Sequence, residues 1–157
     1  GFCSFSGETL QPGVKAVATL CEKEEDEGFD RFDYSEEAWE KIDPPDRLFS
    51  HWKYLVPDKN ENKRITIDDE VLVDLFNRLN DDNRPKRIAF RYILALVLLR
   101  KRKLQLVSRD KDDEGELWYL KFRGMESDLI SVRNPDIKED EIQDLSDQLS
   151  EILQGDF

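Results

Sequence analysis

Twelve consecutive positions, Ile88 to Leu99, read IAFRYILALVLL, and all of them except Arg91 are apolar or aromatic. A bilayer span needs about 20 apolar residues, and this run is bracketed by Arg84, Lys86 and Arg87 on one side and by Arg100 to Lys103 on the other. The segment therefore reads as a helix buried inside a folded domain, apolar on nearly every face because other elements cover it. Pro85 fits its first turn, where a missing N–H costs nothing, and the basic run ends it, giving a central helix over 85–103.

The rest of the chain must supply the covering elements. Residue 66, 68 or 69 begins an amphipathic helix in which Val71, Leu72, Leu75, Phe76 and Leu79 recur at spacings of three and four. After Lys103 the period changes to two, and Leu104, Leu106, Leu117 and Tyr119 flank the polar run SRDKDDEGE, which predicts a β-hairpin over 104–123 with that run as its loop. Asp128 to Val132 adds a candidate third strand, and Ile142, Leu145, Leu149, Ile152 and Leu153 form the stripe of a closing helix. Upstream, Val14 to Cys21 and Phe29 to Tyr34 read as strands joined by the acidic loop Glu22–Gly28, although the inward face of the second strand is ambiguous. Ser35 caps a short helix, EEAWEKI, stopped by Pro44 and Pro45. Leu48 to Val56 is an extended aromatic segment. The polar run Asp58–Arg64 is the expected seam between a hairpin module with its following strand, residues 2–57, and a body around the central helix, residues 58–157. The fold class expected is α+β.

Charge narrows the partners. The net charge is −12, which disfavours attraction of the whole chain to nucleic acid or to an anionic membrane. It is unevenly spread, because residues 84–103 hold eight Lys or Arg and no acid, leaving −20 on the remainder. Cys3 and Cys21 are too few for a disulfide framework and no apolar leader precedes them, so a reducing cytoplasm is the expected setting. Gly1 stands where an initiator Met would and reads as a tag remnant.

Turn, hairpin and short helix in this order resemble a treble-clef or zinc-ribbon module, which places one C-x-x-C pair on an opening knuckle before a Gly and a second at the helix start. The matching positions here are Cys3 and Ser6, followed by Gly7, and then Ser35 and Ala38 in DYSEEAW. Structural zinc takes four Cys or His ligands, so the site, if ancestral, is expected to be empty, with no metal and no cofactor. Phe2, Phe5 and Trp39 are the expected apolar replacements. The strings FCSFSGETLQPG, RFDYSEEAW and FSHWKYLVP together resemble a family of uncharacterised bacterial proteins of the planctomycete type, whose better-endowed members carry Cys pairs at these positions. That resemblance implies a fold and no activity.

Few residues offer chemistry. The lone histidine, His51, sits among Phe49, Trp52 and Tyr54 and reads as a partly buried packing residue rather than a base; Ser50 points to the opposite face. The acidic runs Glu24–Glu27 and Asp110–Glu114 read as solvated loops and lack the spacing of a calcium loop. Arg100, Lys101, Arg102 and Lys103 are a candidate anion-binding ridge, although pairing with carboxylates of the closing helix is the plainer expectation. These readings favour a non-enzymatic protein-interaction module with an unknown protein partner. Nucleic-acid or anion binding at the basic helix end comes second, and an enzyme with a carboxylate and His51 site third. Oligomeric state is left open.

Overall fold

The computed structural model describes residues 1–58, 67–124, 126 and 128–155. Past Asp58 the expected polar seam lies outside these residues, as does Thr66. The chain divides into two units, Gly1–Thr66 and Ile67–Gly155, and its described residues form a mixed α+β structure with two three-stranded antiparallel sheets and four helices. No helix among them is long and apolar enough to cross a membrane.

The first unit contains β1 (Lys15–Glu22), β2 (Phe29–Ser35), α1 (Glu36–Lys41) and β3 (Leu48–Leu55), with sheet order β2-β1-β3. The central strand is buried from Ala16 to Cys21. Its small residues Ala16 and Ala18 lie opposite Ser35 and Asp33 on β2 and opposite Tyr54 and Trp52 on β3. That low ridge lets the outer strands meet across the middle one. Arg31 grips Asp33 through two N–H···O bonds of 2.7 and 3.1 Å, Tyr54 donates its hydroxyl to the same carboxylate, and the guanidinium lies 5.5 Å from the ring centres of both Trp52 and Tyr54. Burial, followed by the Asp33 carboxylate, pushes the Tyr54 phenol up to about 12. The ambiguous faces of β2 are thereby resolved: Phe29 and Tyr34 are buried on opposite faces, whereas Phe32 is exposed.

The second unit contains α2 (Asp69–Arg78), α3 (Pro85–Arg100), β4 (Leu104–Asp112), β5 (Gly115–Phe122), β6 (Ile130–Arg133) and α4 (Glu139–Leu153). Asp68 caps α2 by accepting from the Glu70 N–H. The central helix is buried over Ala89–Ala95 and at Val97 and Leu98, and it ends at Arg100, three residues short of expectation. Arg102 turns left-handed at φ 61°, the Lys103 N–H reaches Leu98 O at 2.9 Å and the Arg102 N–H reaches Leu99 O at 3.1 Å. That pair of bonds is a Schellman ending, which satisfies carbonyls the helix would otherwise leave bare. The expected loop SRDKDDEGE is mostly strand. β4 continues to Asp112 and pairs with β5 down to Asp112↔Gly115, with Gly115 at φ 118° in the turn. A polar sequence suits this strand because it is a sheet edge exposed after Leu104, and charges on an edge discourage pairing with other chains.

Candidate functional site

The first nine residues fold into a knuckle. The Cys3 N–H donates to Glu8 O and the Gly7 N–H to Cys3 O, both at 2.8 Å, and Phe2 bridges Thr9. Gly7 takes φ 76°, which glycine adopts without steric cost. The Ser4 N–H, donating to Asp33 O at 2.8 Å, ties the knuckle to β2. The Cys3 sulfur accepts from the Ser35 N–H at 3.3 Å and lies 3.8 Å from the Ser35 hydroxyl, which in turn caps α1 by accepting from the Ala38 N–H at 3.1 Å. Cys3, Ser35 and Ala38, distant in sequence, are thus joined by hydrogen bonds, and Ser6 completes the group by hydrogen bonding to the Cys3 sulfur.

These side chains do not suit zinc. One thiol, two hydroxyls and a methyl group fall short of four thiolate or imidazole donors. Among the described residues no group of three or more His, Cys, Asp or Glu is placed to hold a metal. Cys3 packs instead with Leu10, Ala16, Tyr34, Ala38 and Val56, against which Trp39, Ile42 and Tyr54 also rest. Of the three expected replacements only Trp39 is in place. Phe2 and Phe5 are 68% and 61% exposed, because the knuckle turns inward through its sulfur and backbone and leaves the flanking rings outside.

Burial opposes ionisation of Cys3, but the Ser6 hydroxyl and the N–H groups of Ser35, Ser6 and Phe5 outweigh it and bring the thiol down to about 6. An ordinary thiol titrates near 9. A group with a lowered folded pKa adds stability fully above its unfolded pKa and loses it as the pH falls through the folded one. Chemical denaturation should therefore show stability dropping from pH 9 to pH 6, by at most about 1.4 kcal/mol per pH unit. In Cys3→Ala that slope should vanish; an unchanged slope would show that Cys3 carries no such charge.

His51 is exposed rather than partly buried and places its ring 5.2 Å from that of Trp39, while Ser50 is buried. In the basic run, Lys101 reaches Asp69 at 3.0 Å and Lys103 reaches the same carboxylate at 3.8 Å. Their partner is thus the first residue of α2, not the closing helix: Asp69 is favoured there by the helix dipole. Sequence reasoning missed the Arg31–Asp33–Tyr54 group, whose one available signal was Arg-x-Asp on a single strand face beside a small-residue strand. Compared with known proteins, the chain matches no family model, no curated protein and no solved structure.

Proposed function

We propose that this chain is a non-enzymatic intracellular protein-interaction module whose first unit is a metal-free, treble-clef-like knuckle presenting apolar side chains to a basic protein partner. The observation that carries the reading is the exposure of Phe2, Phe5, Val14 and Leu55, at 68, 61, 49 and 64%. Val14 precedes β1, Leu55 ends β3, and the knuckle is bonded to Ser35 at the end of β2. In an antiparallel sheet these three strand ends coincide, so the four side chains gather at one end of the unit. Exposed apolar groups collected in this way mark contact surfaces. Two buried, unpaired cysteines suit a reducing compartment.

Charge selects the occupant. At −12 per chain two copies repel, whereas a partner whose apolar contact is ringed by Lys and Arg gains from the same field. The test is a paired pull-down with the wild type and with Phe5→Ser/Leu55→Ser, whose altered positions are exposed and should leave the circular dichroism spectrum unchanged. One basic protein, retained by the wild type, lost with the variant and released by added salt, is the expected result. A partner held equally by both, a salt-insensitive one, a dimer of the wild type that the variant lacks, or no partner at all would refute the reading.

A further inference from the structure

The second unit contains a cleft of about 300 Å³ between the α2–α3 loop and strands β5 and β6, at the small end of ligand-site volumes. Leu79, Ile88, Leu117 and Val132 line it with apolar surface, and Asn80, Asp81 and Asn83 supply polar groups. Two of its four charged residues are ion-paired. Asp82 is held by Arg84 at 2.6 Å and by Arg87 at 3.3 Å. Arg133 is held by Asp112 at 2.6 Å and by Glu114 at 3.7 Å.

Arg91 differs. It is the single charged residue of the apolar run, it is 8% exposed, and it lines this cleft. Its Nε donates to Phe76 O at 3.3 Å, its Nη1 donates to Ser131 O at 2.5 Å, and its guanidinium stacks 4.4 Å from the centre of the Phe76 ring. Those contacts fix the group in place but contribute no anionic partner. Among the described residues no carboxylate forms an ion pair with it; Asp81, on the cleft rim, acts on it only through its field. A buried guanidinium is costly without an anion, and its planar fork suits a carboxylate held by two hydrogen bonds. Asp81 is exposed and held at φ 65°.

We propose that this cleft binds a small amphipathic zwitterion of amino-acid size, with its carboxylate on Arg91, its ammonium on Asp81 and its aliphatic side chain on the floor formed by Leu79, Ile88, Leu117 and Val132. This assignment is independent of the partner surface on the first unit. The test titrates the full chain with L-leucine, with 4-methylpentanoate, which lacks the ammonium, and with leucinamide, which lacks the carboxylate, following backbone amide resonances. Leucine should shift Leu79–Asn83 and Ser131–Arg133 and bind at least tenfold more tightly than leucinamide. In Asp81→Asn, an exposed and therefore tolerated change, leucine should weaken to the level of 4-methylpentanoate. Arg91→Met should abolish binding of both carboxylates; if that variant does not fold, the ligand series and Asp81→Asn decide the matter without it. No shifts at millimolar leucine, shifts confined to other residues, or leucinamide binding as tightly as leucine would overturn the assignment.

Discussion

Phe90→Ala should lower the stability of the second unit by about 3–5 kcal/mol, whereas Phe5→Ala should change that of the first by less than about 1 kcal/mol. Phe90 has no exposed surface and sits in the continuous buried stretch of α3. Removing a large ring from such a position forfeits both its transfer from water and the contacts lining the cavity left behind. Phe5 is 61% exposed, so its truncation leaves no cavity, and surface changes of that kind stay small. Chemical denaturation of the two variants distinguishes them. Trp39 and Trp52 report on the first unit and Trp118 on the second, which also reveals whether the units unfold together. A loss of several kcal/mol in Phe5→Ala would place that ring in a core and remove the principal support for a partner surface around the knuckle.

The contrast between these two phenylalanines shows what could be read from sequence. The three-and-four spacing of α2 and α4 carries a period that only a helix satisfies, while the apolar run of α3 is marked as a helix by its length and by Pro85 at its start. Those elements were legible. Phe5 was not, because a short turn has no period and its geometry depends on which atoms meet the rest of the fold; here those are the Cys3 sulfur and the Ser4 N–H. The hairpin loop was overestimated for a related reason. An edge strand needs no buried face, so Ser108 to Asp112 pair with β5 despite their polar composition. Charged contacts were hardest of all. Lys101 and Lys103 find Asp69, more than thirty positions earlier, and Arg91 finds carbonyls on α2 and β6. Tertiary proximity selects such pairs, and residue spacing carries no trace of it.

Placing thiols at Ser6, Ser35 and Ala38 should create a zinc site with Cys3. Two sulfurs bound tetrahedrally at about 2.3 Å from one ion lie about 3.8 Å apart, and the Cys3 sulfur and Ser35 hydroxyl are 3.8 Å apart. The knuckle N–H groups that now hold Cys3 toward its thiolate form would serve a metal-bound thiolate in the same way, because both carry negative charge on sulfur. Without metal, Ser6→Cys/Ser35→Cys/Ala38→Cys should be less stable than the wild type by about 1 kcal/mol, since Ser35 is the helix cap. At a zinc concentration a thousandfold above Kd, binding adds about 4 kcal/mol, so the loaded variant should end about 3 kcal/mol above its metal-free wild-type parent and fall back when a chelator is added. Adding Cys3→Ala should remove most of that gain. Elemental analysis provides the decisive reading: one zinc per chain in the folded triple variant, and none in the wild type. A folded triple variant that holds no zinc would mean that Cys3, Ser6, Ser35 and Ala38 are ordinary turn and cap positions, and the treble-clef reading of the knuckle would fall with it.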